Sequence, residues 1–254
     1  MASKLTWVAL GVGAYLAFTL ARFPADAAYR WFLADTIALA GIEGTVWSGS
    51  AELGAAGGLA LRDVRWQVDS WPLLIGRVAG RFQAGLADGF VSSRFSASPS
   101  AVVLEEVQLS TSLAALADVV PVAGTAGLVS ATLDELRLED GWPVRAVGTV
   151  RVAQLETAPF LPTGRASKMI ALGDYEAVFK ETAEPGVLAA DIRDTGGPLE
   201  LMATLTLDRS RAYTLEGAVR PRTDAAPELV QALEIMTGEP DAAGRRALGL
   251  TGSL

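Results

Sequence analysis

The chain has 254 residues, a formal net charge of −8, and neither histidine nor cysteine. The Ser-His-Asp and Cys-His catalytic arrangements, disulfides and the usual zinc sites are therefore excluded. The acidic balance also argues against a nucleic-acid partner, because binding to phosphates needs a basic surface.

Residues 5–21 carry no charge and are bounded by Lys4 and Arg22. As a helix rising about 1.5 Å per residue, they would reach about 25 Å, close to the thickness of a bilayer core. We predict that residues 1–23 form an N-terminal transmembrane anchor. The main alternative is a signal peptide cleaved near Ala25-Asp26-Ala27, and a buried helix of a soluble core is the other. Both the anchor and the signal peptide place the rest of the chain outside the cytoplasm.

Small residues recur at every fourth position of this segment, at Ala9, Gly13, Ala17 and Ala21. On a helix they form a stripe along one face, and such stripes let helices approach closely in lipid. We interpret the stripe as a packing surface for a partner helix. The alternative is that an alanine-rich segment produces this spacing by chance.

Residues 24–41 are predicted to form a juxtamembrane helix, with Pro24 at its first position and Gly41 as its stop. Tyr29 and Trp31 then lie just beyond the anchor, where aromatic rings suit the membrane interface. The alternative is that these rings pack beneath the following domain.

Residues 42–254 show period-two alternation and frequent glycine, which predict an antiparallel β domain. The first strand is expected to begin within residues 43–49. Two short helices are expected at residues 112–119 and 226–236. Further strands are predicted near residues 59–69, 73–86, 89–97, 101–110, 123–139, 143–156, 171–180, 187–193, 198–207 and 212–221.

A weak repeat recurs in three of these strands, at residues 61–66, 104–109 and 133–138. In each copy the apolar phase shifts across two polar residues, which predicts a β-bulge at the polar pair. Repeated bulges would build a long, strongly curved sheet with an open groove or half-barrel shape. Coincidence in a leucine-rich β protein is the alternative.

Residues that could carry catalysis are few. The acidic pairs Glu105-Glu106, Asp134-Glu135 and Glu139-Asp140 are adjacent on strands or turns, so their side chains point in different directions. Ser167-Lys168 has no supporting motif, and no phosphate-binding loop or metal-ligand spacing is present. The sequence therefore predicts no enzyme activity, no cofactor and no metal.

Several motifs resemble those of the type II secretion system protein N family. The resemblance rests on the short N-terminal anchor, a glycine-tryptophan motif at residues 43–49, a Trp-Pro step and later glycine, proline and arginine residues. The family-like residues are Gly44, Thr45, Trp47, Gly49, Trp71, Pro72, Gly76, Gly197, Pro198 and Leu199. Tyr213, Gly217 and residues 220–222 and 244–246 extend the resemblance toward the C-terminus.

This resemblance implies a non-enzymatic accessory or assembly component of the secretion machine. It would be a single-pass inner-membrane protein with a periplasmic β domain and other secretion subunits as partners. The bulged-hairpin pattern is also similar to AsmA-like proteins, whose curved sheets form apolar grooves. The alternative function is therefore a groove that binds an acyl chain or another hydrophobic ligand.

Overall fold

The computed structural model describes residues 7, 11, 15, 18–33, 37–72, 76–117, 124–158, 169–182 and 184–253. Within these residues, no helix is both long enough and apolar enough to cross a membrane. Most of the predicted anchor, residues 5–21, lies outside them.

In the described part of the chain, thirteen antiparallel strands form one sheet in which the spatial order equals the chain order. The strands are β1 (Ala38–Gly44), β2 (Ser48–Ala56), β3 (Leu59–Asp69), β4 (Val78–Gly85), β5 (Phe90–Ala97), β6 (Val102–Ser112), β7 (Thr125–Glu139), β8 (Trp142–Thr157), β9 (Ile170–Lys180), β10 (Leu188–Gly196), β11 (Leu199–Leu207), β12 (Ala212–Pro221) and β13 (Arg246–Ser253). The sheet is open, because β1 and β13 do not pair with each other. The prediction of a mainly β fold with an open antiparallel sheet is therefore confirmed.

The N-terminal part of the fold differs from the prediction. Within residues 24–41, the described helical residues form α1 (Ala25–Ala28) and a π-helical turn (Tyr29–Leu33). The expected helix over residues 24–41 was therefore too long, since its last residues belong to β1. Gly41 lies within β1, with a positive φ of 67°, and does not end the helix. Residues 43–49 form the end of β1 and the turn into β2, so they do not begin the first strand.

The three predicted bulges are confirmed. Strand register shifts next to Asp63 in β3, Glu106 in β6 and Asp134 in β7. Asp63 and Glu106 have positive φ angles of 48° and 52°. At the third bulge, the residue with a positive φ lies on the neighbouring strand β8. It is Gly148, which has a φ of 135°. Each extra residue bends its strand and returns the following apolar residues to the original face.

One face of the sheet is apolar along most of its width. Trp66 pairs with Phe82, and Phe95 pairs with Leu104, which in turn pairs with Leu136. All five side chains are half-buried. We call this side of the sheet the inner face and the other side the outer face.

Two helices cover the inner face at one end of the strands. A short 3₁₀-helix (Leu113–Leu116) packs on Val129 of β7 and also contacts Leu59 of β3. The second helix, α2 (Pro227–Met236), buries Leu229 against β9, β11 and β12. Full burial of a leucine contributes about 1.5–3 kcal/mol, so each helix fixes several strands to one another. Both helices were expected from the sequence near these positions.

A charge cluster ties three strands together on the outer face. The Glu176 carboxylate of β9 accepts hydrogen bonds from Arg151 Nε of β8 and Arg193 Nε of β10, each at 2.8 Å. The Glu176 side chain is only 5% exposed, while both arginines remain open to solvent. The hydrogen bonds from Arg193 and then Arg151 hold the pKa of Glu176 below its usual range.

We predict that the Glu176→Gln substitution destabilises the protein at neutral pH and has a smaller effect in acid. The folded-state pKa is lowered, so the carboxylate contributes stability above the ordinary glutamate pKa of about 4.3, and this contribution is lost as pH falls through the folded value. Urea unfolding at several pH values between neutral and acid would measure the change. The exposed Glu216 of β12 supplies the control, Glu216→Gln, and an equal loss of stability in the two variants would contradict the prediction.

Candidate functional site

The N-terminal segment, residues 18–33, packs on one end of the sheet. Val46, in the turn between β1 and β2, donates its backbone N–H to the carbonyl of Phe23 at 3.0 Å. Trp47 donates its indole Nε1–H to the carbonyl of Leu20 at 2.8 Å. This end comprises the β1–β2 turn, the β3–β4 connection and the segment packed on them. We call it the docking end.

The same segment also contacts strand β1. Pro24 forms an isolated antiparallel bridge with Thr45. The hydroxyl of Tyr29 accepts a hydrogen bond from the backbone N–H of Leu39 at 3.1 Å. Tyr29 therefore packs against the domain, which was one of the two interpretations offered for its ring.

The family-like residues at positions 43–49 build the turn that receives the segment. Gly44 has a φ of 89°, a conformation that side chains with a Cβ rarely adopt. Gly49 lies under the ring of Trp66, where an added Cβ would be 2.4 Å from a ring carbon. Trp66 in turn donates its indole N–H to the carbonyl of Val46 at 3.2 Å. These glycines therefore shape the docking end.

Large apolar side chains are exposed at the docking end. Trp71, in the connection between β3 and β4, is 78% exposed, and Trp31 of the π-helical turn is 70% exposed. Pro72 and Gly76 belong to the same connection, and Gly76 has a positive φ of 72°. Exposed apolar side chains at one end of a domain can mark an interaction site, so this end is a candidate contact surface.

The family-like residues Gly197, Pro198 and Leu199 lie at the opposite end of the strands. Leu199 is buried and packs in the core cluster under α2. Arg222 donates to the carbonyls of Gly197 and Leu199 and pairs with the Asp194 carboxylate. The hydrogen bond to Asp194 raises the pKa of Arg222 above its ordinary value. These residues close the β10–β11 turn and have a structural role.

The predicted packing stripe falls largely outside the described residues. Ala9, Gly13 and Ala17 are not described, and Ala21 is the last residue of an exposed helical turn at residues 18–21. The stripe therefore stays a prediction.

The acidic pairs form ordinary ion pairs. Their partners are Arg94 for Glu106 at 3.2 Å, Arg145 for Glu135 at 3.4 Å, and Arg209 for Glu139 at 3.0 Å. No group of three or more metal-binding side chains occurs in the described part of the chain. Ser167 and Lys168 lie outside that part.

A polar cleft of about 730 Å³ lies on the outer face of β1 to β6. Its walls include three arginines and three glutamines that alternate along neighbouring strands: Arg65, Gln67, Arg81, Gln83, Arg94 and Gln108. The sequence analysis did not identify this cleft. The available signal was the Arg-x-Gln spacing of both β3 and β4, which places these polar side chains on one face.

The family "Type II secretion system (T2SS), protein N" matches residues 35–249. The Type II secretion system protein N of Aeromonas hydrophila is 24% identical over 263 residues, and the match covers all of both chains. No solved structure matches the chain. The family match extends from just before β1 into β13 and includes the docking turn and the Gly197–Leu199 turn. The chain therefore belongs to the type II secretion system protein N family.

Proposed function

We propose that the protein is a non-enzymatic assembly component of the type II secretion system and binds another subunit along the free edge of β13. Family membership supports the place in the secretion system. The observation that supports this binding mode is that one edge strand of the sheet, β13, is unprotected, whereas the other, β1, is protected.

Strand β13 has an accessible, unprotected edge. It pairs with β12 over eight residues, from Arg246 to Ser253, and with no other strand of the described chain. After Arg246 it contains neither charge nor proline, and Leu250 is 43% exposed. Natural sheets usually protect free edges with lysine, proline or bulges, because an unpaired edge attracts other strands.

Strand β1, at the other edge, is protected. Gly41 and Gly44 have positive φ angles that interrupt its regular backbone. Tyr29 accepts the hydrogen bond of Leu39, and the N-terminal segment packs alongside. β13 is therefore the edge at which an extended segment of a partner can add a strand, as in other peptide-binding sheets.

We predict that a photocrosslinking residue at Thr251 captures another secretion subunit in cells that are secreting. The substitution Thr251→Lys should lower both this capture and the amount of exported protein several-fold, since a charged side chain disfavours strand addition. Crosslinked products would be identified by mass spectrometry.

Thr132, an exposed residue of the central strand β7, provides the matched control for both changes. The edge proposal is wrong if position 132 captures the same subunit as efficiently, or if Thr251→Lys leaves both capture and export at the wild-type level.

We further propose that residues 5–21 anchor the protein in the inner membrane and that the β domain lies in the periplasm. The uncharged sequence of these residues supports the anchor. The exposed Trp31 and Trp71 at the docking end support a membrane surface close by, because tryptophan favours the interface.

The absence of native cysteine makes this placement directly measurable. We predict that a cysteine replacing Ser100, an exposed residue of the β5–β6 turn, reacts with a membrane-impermeant maleimide in intact spheroplasts. A cysteine replacing Ser3 should react only after lysis. Protection of position 100 until lysis would contradict the periplasmic placement, and release of the chain by alkaline carbonate would contradict the anchor.

A second candidate function is the binding of a hydrophobic ligand, such as an acyl chain, on the inner face. The observation that favours it is the row of half-buried apolar side chains from Trp66 to Leu136, which lies across five adjacent strands. A half-buried apolar row of this length is a typical lining for a ligand with a hydrocarbon chain.

For this second function, we predict that lipid co-purifies with the full-length chain and that Phe95→Glu reduces the amount per molecule several-fold. Met202→Glu is the control, because Met202 is an exposed apolar residue of the outer face. Mass spectrometry of extracted lipid would measure the amounts. Equal lipid content in both variants would exclude the inner face as the binding site.

A further inference from the structure

The outer-face cleft begins at Glu43 and Gly44 of β1, and its arginine, glutamine and serine residues lie on five adjacent strands, from β2 to β6. At about 4.8 Å between neighbouring strands, these five strands extend over about 19 Å. The cleft faces away from the apolar row, and its walls also include the glutamates Glu43 and Glu106. It is therefore a polar surface that is distinct from both the inner face and the β13 edge.

Two arginines face each other within this cleft. Arg81 of β4 is the direct cross-strand partner of Arg94 of β5. Arg65 of β3 is paired with Gln83, two residues along β4 from Arg81, so it lies diagonally opposite Arg81. Like charges directly opposite each other destabilise a sheet. The pairing of Arg81 with Arg94 therefore does not stabilise the sheet in the absence of a bound partner.

The nearby carboxylates compensate part of this charge: Glu43 and Glu106 line the cleft, and Glu105 is the cross-strand partner of Arg94. Glu106 pairs with Arg94 at 3.2 Å. Among the described residues, Arg65 and Arg81 form no ion pair. Elsewhere on the outer face, by contrast, Arg151 and Arg193 share the carboxylate of Glu176. The positive charges of Arg65 and Arg81 thus remain without an ion-pair partner among the described residues, although the whole chain carries a net charge of −8.

The other side chains of the cleft are suited to an extended polypeptide. Gln67, Gln83 and Gln108 each offer both a hydrogen-bond donor and an acceptor, as peptide backbones require. Ser50 and Ser92 add hydroxyl groups along the same face. At about 3.3 Å per residue, a length of about 19 Å accommodates about six extended residues.

We propose that this cleft binds an extended acidic segment of a partner protein, with Arg65 and Arg81 contacting its carboxylates. A guanidinium group binds a carboxylate through two parallel hydrogen bonds, and an incoming acid also relieves the repulsion between Arg81 and Arg94. The length of the cleft and its glutamines favour a peptide over a single small anion.

The test is fluorescence anisotropy with the purified full-length chain and a labelled peptide of three Glu-Ser repeats. We expect this peptide to bind, and we expect Arg81→Gln and Arg65→Gln each to weaken binding at least tenfold at low salt. Arg245→Gln, at the opposite end of the strands, removes the same charge and should change binding less than twofold. Thr251→Lys should also change it less than twofold, which separates this site from the β13 edge.

Three results of the binding experiment would overturn the proposal. One is equal binding of the wild type and Arg81→Gln. Another is equal binding of a peptide in which glutamine replaces each glutamate. The third is stronger Arg81-dependent binding of inorganic phosphate or of phosphatidylglycerol vesicles than of the acidic peptide, which would assign the site to a phosphate group.

Thermal unfolding provides an independent measurement of the same arrangement. Because Arg81 and Arg94 repel each other, Arg81→Gln should raise the Tm at low salt, and added salt should reduce this difference. The acidic peptide should raise the Tm of the wild type and leave that of Arg81→Gln unchanged. A lower Tm for Arg81→Gln would mean that Arg81 stabilises the sheet, and would contradict a binding role.

Discussion

Hydrogen bonding between consecutive strands is the interaction on which the rest of the structure depends. Each strand pairs only with the strands before and after it in the chain, so the sheet has two edges and never closes. Because the strands are antiparallel, alternate connections lie at opposite ends of the sheet. One end carries the 3₁₀-helix and α2, and the other carries the N-terminal segment. The strand order thus explains why the end with the two helices and the docking end lie at opposite ends of the strands.

Much of this architecture could be predicted from local sequence. Asp140-Gly141 predicts a tight hairpin, and both residues have the positive φ angles that a two-residue turn requires. The polar pairs within leucine-rich strands predict bulges, because a strict alternation would place leucines on both faces. Both signals depend on neighbours in sequence, which is why they were reliable.

The first, second and last strands were harder to recognise. The residues of β1 and β2 are mainly alanine and glycine, which favour neither a helix nor a strand by side-chain pattern. β13 contains two glycines in eight residues and is exposed along most of its length. Such strands form because a neighbour supplies hydrogen bonds, and this tertiary effect leaves little trace in local sequence. The outer-face cleft was missed for a related reason, since register alone places Arg81 opposite Arg94.

The sequential order of the strands has a consequence for how the chain acquires its structure. Every strand pairs with the one made just before it, so the sheet can grow hairpin by hairpin as the polypeptide is synthesised. Tyr29 occupies the β1 edge from the beginning, which leaves growth possible in one direction only. At each stage the newest strand is an exposed edge. The unpaired backbone hydrogen-bonding groups of an incomplete chain therefore always lie on its most recently formed strand. Until α2 packs on β9, β11 and β12, such an intermediate is vulnerable to pairing with foreign strands.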